Sequence, residues 1–464
     1  MRPVSSLNRR NVVTGIAAAS VLAAAPGGLR AQTRARSSRD RLEEAFTRIN
    51  DPRGEGKRTC LTVYAEAARA AADASDARAR ADISLGPLDG TIVSIKDLFD
   101  VAGEPTRAGS KILIDAPPAK DDAAVVRRLR AAGAVIVAKT NMSEFAFSIL
   151  GMNPHHGTPG NPADRTRVPG GSSSGAAVAA ADGMCEIAIG TDTGGSTRAP
   201  AAFSGIVGFK PSKSRVPTDG AFPLSYTLDS IGPLARTVAD CARADAVMAN
   251  DAPWMVDPVP LVGLRLGVAQ GLPLQQLDLI VSARFNAATE TLDGAGVTLT
   301  DEAIPLWDDV ARVQAKASFS SIESFHIHRP WLPARAADYD PVVLTRINLG
   351  RDVTAAEYIE MTRQRANLVR AMDARLANLD AIIMPTTPNV APTMAEVSTL
   401  ETFLPKNFLN LRNTNLINFF DLCAISLPLP RQGDLPVGLM VVARNGQDRN
   451  LFRIAAAVER LFAA

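Results

Sequence analysis

The chain has 464 residues, of which 46% are hydrophobic and 21% are charged, so it contains enough apolar material for a large folded core. Its 50 basic and 48 acidic residues nearly cancel, and only 5% of the residues are aromatic. This balance gives no electrostatic reason to expect a nucleic-acid or membrane-surface partner, and the few aromatic residues also argue against base stacking.

Residues 1–31 follow the segment order of an export signal. Arg9 and Arg10 form a twin arginine, an apolar, Ala-rich run spans 12–26, and Ala31 is a small residue at a candidate cleavage point. The apolar run is shorter than the roughly 20 residues that cross a bilayer. The sequence therefore predicts twin-arginine export to the periplasm and no integral membrane segment afterwards. The alternative is an Ala-rich helix or an uncleaved anchor, and without a working signal the protein would be cytoplasmic.

Helix-like and strand-like segments alternate along residues 32–464, which we expect to form a single domain. Helices are predicted at 41–49, 61–81, 123–132, 174–182, 238–249, 280–294, 355–376 and 449–462, and strands at 91–95, 134–138, 186–189, 264–269, 297–299, 381–384 and 437–442. This alternation is typical of an α/β sheet with helices on its faces. Residues 301–410 are less regular and rich in Pro and Arg, and we expect a variable, substrate-facing region there.

Two loops rich in Gly and Ser stand beside predicted strand–helix junctions. One spans 169–175 and contains Ser172, and the other spans 190–196 and contains Ser196. Glycines let the backbone turn sharply and expose N–H groups, which suits a nucleophile beside an oxyanion hole. Taken singly, each loop also fits an ordinary turn. A phosphate-binding loop is disfavoured because neither GxxxxGK[ST] nor a strand-linked GxGxxG occurs.

A reactive serine needs a base, and the chain is poor in the usual one. It has four histidines and no GxSxG motif, and we expect the histidines to serve in packing or at the surface: His155, His156, His326 and His328. Lys96 directly follows the predicted strand 91–95, where burial would lower its pKa from about 10.4. The alternative is an ordinary lysine that pairs with Asp97 or reaches solvent.

The cysteines carry no metal or redox signature. They lie far apart, without a CxxC pair, at Cys60, Cys185, Cys241 and Cys423. Their spacing favours neither zinc nor a disulfide scaffold, and the sequence predicts four buried, unpaired thiols.

Five segments in order resemble the amidase signature family. They are Gly86–Asp97 around Lys96, Gly170–Ser173, Gly190–Pro200, Gly205–Pro211 and Asp229–Pro233. The resemblance is strong over about residues 60–250, which would form the catalytic core, and looser beyond. It implies a central mixed β-sheet covered by helices on both faces.

The resemblance also implies roles for individual residues. Ser196 matches the nucleophile, Ser172 the bridging serine beside a cis peptide bond, and Lys96 the neutral lysine that takes the proton. Ser173 would support the lysine, and an oxyanion hole would come from the backbone N–H groups of Thr193, Gly194, Gly195 and Ser196. The implied activity is hydrolysis of a linear, small-molecule amide without metal or cofactor. A homodimer is possible on the sequence evidence.

Three functions remain open at this point. The first is a stand-alone amidase, the second is the glutaminase component of a glutamine-dependent tRNA amidotransferase (its A subunit), and the third is a non-catalytic relative on the same fold. An export signal argues against the second, which is cytoplasmic, and the complete Lys96, Ser172 and Ser196 set argues against the third. An Asp of the amidotransferase glutaminase is replaced near Leu411, which counts against recognition of free glutamine.

Overall fold

A mixed β-sheet forms the centre of the fold. The computed structural model describes residues 36–431 and 433–463, and the described residues from Ser37 onward form one compact unit. Within the described residues the sheet has eleven strands: β1 Cys60–Val63, β2 Ile92–Lys96, β3 Val135–Thr140, β4 Ile187–Thr191, β5 Val207–Lys210, β6 Ile231–Ala235, β7 Arg265–Ala269, β8 Thr298–Glu302, β9 Ala381–Pro385, β10 Cys423–Pro428 and β11 Gly438–Ala443. Their order across the sheet is β1-β3-β2-β4-β6-β5-β10-β11-β9-β7-β8.

Helices flank this sheet. They are α1 Ser38–Ile49, α2 Gly56–Thr59, α3 Ala65–Arg80, α4 Ala124–Ala131, α5 Ser174–Ala181, α6 Arg198–Ser204, α7 Val238–Ala249, α8 Leu279–Gly294, α9 Leu306–Val313, α10 Phe319–His328, α11 Leu332–Arg335, α12 Pro341–Asn348, α13 Ala355–Arg375, α14 Leu400–Phe419 and α15 Asp448–Ala463. The expected architecture, a mixed central sheet covered by helices, is confirmed.

Helix α5 owes its position to its small side chains. Its sequence is SGAAVAAA, and all of its residues except the last are buried. A Cβ atom on Gly175 would lie only 2.6 Å from the backbone nitrogen of Asn141, so this helix packs directly on the neighbouring chain. The N-terminal end of α5 thereby carries the loop that contains Ser172 into the interior.

Several sequence-based boundaries need correction. The helix expected at 61–81 begins only at Ala65, because residues 60–63 pair with β3 as an edge strand. Strands β5, β6 and β10 were not predicted, since short buried strands lack the alternation of half-buried ones. The region 301–410, expected to be less regular, contains six helices from α9 to α14, of which α13 was predicted and the last extends to 419.

The parallel pairing of β2 with β4 brings two parts of the predicted site together. Val93 to Ile95 pair with Ile187 to Ile189, so both strands end at the same edge of the sheet. Lys96 is the last residue of β2 and Thr191 the last of β4. Carboxyl ends of parallel strands are a common place for functional groups in α/β proteins.

The predicted export signal at residues 1–31 lies outside the described residues. Within the described ranges, no helix combines the length and apolar character that a bilayer crossing requires.

Candidate active site

Lys96 lies in a socket of three hydroxyl groups. Its side chain is 0% exposed, and Nζ lies 2.8 Å from Ser172 Oγ, 3.0 Å from Ser173 Oγ and 2.8 Å from Thr191 Oγ1. An ammonium group donates three hydrogens, whereas a neutral amine donates two and has a lone pair. When Lys96 is neutral, one hydroxyl can therefore donate to Nζ, which is the arrangement that a proton relay needs.

The electrostatics of this socket favour the neutral amine. Burial lowers the pKa of Lys96 from 10.5 to about 7, although the negative charges of Asp229 and Asp192 pull it upward. The expected downward shift is confirmed in direction. An ion pair with Asp97, the alternative from sequence, is not formed: Asp97 Oδ2 accepts a hydrogen bond from the backbone N–H of Gly109 instead.

Ser172 and Ser173 reach Lys96 from a tightly packed loop. The peptide bond between Gly171 and Ser172 is cis, as the family resemblance predicts. A Cβ atom on Gly171 would lie 2.6 Å from the backbone of Gly151, so only glycine fits. Ser173 Oγ also lies 3.3 Å from the carbonyl oxygen of Thr191, which ties this loop to β4.

Thr191 is a lysine contact that was not predicted from the sequence. It lies inside the predicted 190–196 loop but belongs to β4, and its hydroxyl points at Nζ. The sequence shows its position directly before the Asp-Thr-Gly-Gly-Ser segment, but its contact with Lys96 depends on the parallel pairing of β2 and β4.

The loop that carries Ser196 lines a small cavity. The Ser196 cavity has a volume of about 170 Å³ and is lined by Thr193, Gly194 and Ser196, among others. Within the described chain, the backbone nitrogens of these three residues have no hydrogen-bond acceptor. The N–H of Gly195 differs, because it donates to Asp192 Oδ1 at 2.7 Å. In this structure Asp192 thus occupies the Gly195 N–H, and the oxyanion role predicted for Thr193, Gly194, Gly195 and Ser196 stays a prediction.

A buried ion pair that was not predicted from the sequence fixes this loop. Asp192 and Arg198 are both 0% exposed, with Arg198 Nη2 2.8 Å from Asp192 Oδ1 and Nε 3.0 Å from Oδ2. The backbone N–H of Thr197 and the side-chain amide of Asn418 donate to the same carboxylate. Burial alone would raise the pKa of Asp192, but Arg198 holds it below its usual range. Removing one partner of such a pair typically costs about 3–5 kcal/mol of stability.

Ser196 is nearly buried, at 5% exposed, and lies on the wall of its cavity. Its Oγ atom makes no hydrogen bond within the described residues, so the link to Ser172 is open in this structure, whereas the link from Ser172 to Lys96 is closed. Before substrate binds, catalytic hydrogen bonds are often long and tighten only in the complex.

The lining of the Ser196 cavity also includes a positively charged side chain. Arg346 of α12 is 7% exposed, and its Nη1 donates to the carbonyl oxygen of Phe147 at 2.7 Å. Its guanidinium lies 4.1 Å from the ring centroid of Phe147 and 5.6 Å from that of Phe408. Burial lowers the pKa of Arg346 to about 9. Arg346 had no predicted role, since only the fold brings it to the serine.

The histidines lie elsewhere. All four belong to the described residues, and none lines the Ser196 cavity. His155 Nε2 lies 2.8 Å from a carboxylate oxygen of Glu144, and His328 Nδ1 lies 2.9 Å from the hydroxyl of Tyr339. The basic side chain in contact with Ser172 and Ser173 is that of Lys96.

The cysteines are buried and unpaired, as predicted. Across residues 36–431 and 433–463, no group of three or more His, Cys, Asp or Glu side chains is placed to hold a metal ion.

Comparison with known proteins places this geometry in a family. The family model Amidase matches residues 42–452. The chain is 37% identical over 404 residues to 2-amino-5-chloromuconic acid deaminase of Comamonas testosteroni, covering 85% of this chain and 86% of the relative. It is 36% identical over 463 residues to the A subunit of glutamyl-tRNA(Gln) amidotransferase from Anaeromyxobacter dehalogenans, covering 91% of this chain and 93% of that relative.

A solved structure supports the same assignment. A crystal structure of an amidase superposes with a TM-score of 0.83 at 33% identity, covering 92% of this chain and 96% of that one. The chain therefore belongs to the amidase signature family of hydrolases, which act on C–N amide bonds.

Proposed function

We propose that the protein is a stand-alone amidase that forms an acyl-enzyme on Ser196 and uses Lys96 as the base through Ser172. The observation that carries the proposal is the position of Lys96, whose fully buried Nζ lies 2.8 Å from Ser172 Oγ and has a pKa of about 7. A buried lysine with a strongly lowered pKa, held by serine hydroxyls, is typical of a functional site.

The reaction steps follow from these positions. Neutral Lys96 accepts the proton of Ser172 while Ser172 accepts that of Ser196, whose Oγ forms a bond to the amide carbon. The N–H groups of Thr193, Gly194 and Ser196 would stabilise the oxyanion, each donor being worth about 2.7–4 kcal/mol. As the C–N bond breaks, Ser172 returns a proton to the leaving nitrogen. Water then attacks the ester carbon, loses its proton through the same groups, and releases the acid and Ser196.

The charge of Arg346 indicates the kind of acyl group. Its guanidinium forms no ion pair with any described residue, although Arg346 is buried and lines the same cavity as Ser196. A buried, unpaired charge is unfavourable unless a partner neutralises it. We propose that this partner is a carboxylate on the acyl part of the substrate. The Comamonas testosteroni relative supports the proposal, since its name describes the substrate as an acid.

The test is a substrate panel with the purified single chain. It contains the monoamides of succinic, glutaric and maleic acid and, as uncharged controls, butyramide and benzamide. We expect ammonia release without partner proteins or ATP, and faster hydrolysis of the carboxylate-bearing amides. Absence of ammonia release from every amide would contradict the stand-alone function.

Substitution of Arg346 tests separately whether the acyl part of the substrate carries a carboxylate. Arg346→Leu should lower the preference for charged over uncharged amides about 10- to 100-fold, since a hydrogen bond to a charged group contributes about 1.5–3 kcal/mol. Arg346→Lys is the matched control, because it keeps the charge and should retain part of the preference. If Arg346→Leu keeps the wild-type preference for charged over uncharged amides, the proposed pairing of Arg346 with a substrate carboxylate is rejected.

The glutaminase component of an amidotransferase is the second candidate, favoured by the Anaeromyxobacter dehalogenans relative. Against it stands Leu411, which lines the Ser196 cavity with an apolar side chain. Ammonia release from free glutamine that appears only after addition of partner proteins would support this candidate instead.

We also propose that residues 1–31 direct export. The support is the order of twin arginine, apolar run and small residue in the sequence. In fractionated bacterial cells, wild-type protein should be found in the periplasm, and the variant with Arg9→Lys and Arg10→Lys should remain inside. Equal periplasmic amounts of both proteins would reject export by this route.

A further inference from the structure

A second cavity adjoins the Ser196 cavity on the side of the lysine. The Asp229 cavity has a volume of about 290 Å³ and shares Ala146, Thr193 and Leu224 with its neighbour. Small-molecule sites begin at about 300 Å³, so it could hold a chemical group of useful size. The proposed reaction assigns the Ser196 cavity to the acyl part of the substrate and gives the Asp229 cavity no occupant.

The inner end of the Asp229 cavity lies beside the proton relay. Thr191 lines it, and Thr191 Oγ1 shares Lys96 Nζ as hydrogen-bond partner with Ser172 Oγ. The two hydroxyls therefore lie on neighbouring sides of one amine. In the proposed reaction Ser172 hands a proton to the leaving nitrogen, so this nitrogen must lie near Ser172 when the C–N bond breaks. The substituent on that nitrogen would then extend toward Thr191 and the Asp229 cavity.

The walls of this cavity are mostly apolar. Leu98, Phe222, Leu224 and Ile231 contribute hydrocarbon surface. At the outer end, Tyr226 is 63% exposed, so the cavity opens toward solvent. Such walls favour an alkyl or aryl group over a charged one.

The charge near this cavity is negative. Asp229 lines it, and its carboxylate accepts hydrogen bonds from Thr193 Oγ1 at 2.5 Å and from the backbone N–H of Leu224 at 2.9 Å. Behind the wall, Glu323 accepts from Ser225 Oγ at 2.5 Å. Among the described residues two cations are close: Lys213 donates to the backbone carbonyl of Asp229, and Lys96 donates to Thr191, but neither lines the cavity. An anionic group would therefore be repelled here.

We propose that the Asp229 cavity receives the amine part of the substrate, and that the enzyme accepts N-substituted amides whose leaving amine carries an uncharged alkyl or aryl group. This inference rests on the proposed acyl-enzyme at Ser196. The C–N bond breaks, the nitrogen keeps the electron pair and receives a proton from Ser172, and the neutral amine leaves past Tyr226. Amines that carry a carboxylate are excluded by Asp229 and the apolar walls.

The experiment compares amides with one acyl group and different amines. The acyl group is whichever of succinate, glutarate or maleate the wild-type chain releases fastest from its primary amide. The N-butyl and N-(3-carboxypropyl) derivatives of that amide have the same chain length and differ in charge. We expect hydrolysis of the N-butyl amide, with kcat/KM at least about tenfold above that of the carboxylated one.

Variants that narrow the Asp229 cavity test whether this cavity binds the amine part of the substrate. Thr218 lines the cavity at an exposed position, so Thr218→Trp narrows it without disturbing the core. The ratio of kcat/KM for N-butyl to primary amide should fall at least about tenfold in this variant. Ala221→Leu narrows the same cavity further inside and should lower the same ratio. Ser320→Leu in the Ser196 cavity is the matched control. It affects binding of the acyl group that both amides share, so the ratio of their kcat/KM values should remain within about twofold of the wild-type ratio.

The outcomes separate the two proposals. If primary amides are hydrolysed but the ratio is the same in wild type, Thr218→Trp and Ala221→Leu, the assignment of the cavity is overturned while the amidase function stands. Equal hydrolysis of the N-butyl and N-(3-carboxypropyl) amides would also overturn it. If no amide is hydrolysed and a fluorophosphonate does not label Ser196, the proposed function fails and this inference fails with it.

Discussion

Replacement of Ser196 by alanine should abolish both amide hydrolysis and covalent labelling by a fluorophosphonate probe. The hydroxyl is the only group that the proposed mechanism uses to form the acyl-enzyme, and water cannot be positioned equally well by the remaining loop. Loss of a serine nucleophile in a comparable unit costs about 10⁶-fold in kcat. Mass spectrometry of the labelled wild type should place the adduct on the peptide that contains Ser196.

The Ser196→Ala substitution should have little effect on the stability of the fold. Ser196 Oγ makes no hydrogen bond within the described residues, so alanine leaves no partner unsatisfied there. Ser398→Ala, at an exposed serine, is the control and should keep both labelling and turnover. Labelling that persists in Ser196→Ala would show that another residue is the nucleophile.

Lys96→Met should lower kcat about 10³-fold while leaving the folded structure in place. Methionine has nearly the volume of lysine but no amine, so the proton of Ser172 has no acceptor. Two effects on stability oppose each other. The variant removes a buried amine whose charged form is disfavoured, but it leaves three hydroxyls without their common partner. We expect a melting temperature close to that of the wild type, measured by circular dichroism.

The pH dependence gives a second measurement of the same residue. Because the neutral form of Lys96 is the active one, kcat/KM of the wild type should rise with pH through about 7 and level off above it. Lys96→Met should lack this rise. Asp229→Asn removes a negative charge that raises the pKa of Lys96, so its rise should occur at lower pH. A wild-type profile with no rise between pH 6 and 8 would reject Lys96 as the base.

The lowered pKa of Lys96 also determines how the contribution of this residue to stability changes with pH. In the unfolded chain the amine keeps its proton up to about pH 10.4, whereas in the folded chain it loses the proton near pH 7. The unfolded state therefore binds more protons between these values, and stability contributed by this group rises with pH over that window. Lys96→Met should remove this part of the pH dependence.

Many residues of the proposed mechanism could be predicted from the sequence because they lie in short, contiguous segments. Lys96 at the end of a strand, Ser172 among glycines and Ser196 after Gly194 and Gly195 were each identified as candidates, and the structure places Lys96 against Ser172 and Ser173. The local pattern also predicted most of the long helices, because periodicity over many residues is a strong signal.

Contacts between distant segments were not readable in this way. Thr191 and Lys96 are 95 residues apart and meet only because β2 and β4 are parallel neighbours. Arg198 reaches Asn418 across 220 residues, and this buried network occupies the Gly195 N–H that had been assigned to the oxyanion from sequence. No local sequence pattern predicts which donors will form hydrogen bonds with a buried carboxylate.

The sequence by itself thus determined the reaction type expected of this protein and the serine and lysine expected to perform it, since these depend on residue types at short spacing. The tertiary structure decided the surroundings: it buried Lys96 enough to lower its pKa to about 7, brought Arg346 into the lining of the Ser196 cavity, and placed the Asp229 cavity beside Thr191, a hydrogen-bond partner of Lys96. Burial, charge and cavity shape arise from packing of remote segments, and for that reason the acyl and amine parts of the substrate can be inferred only from the folded chain.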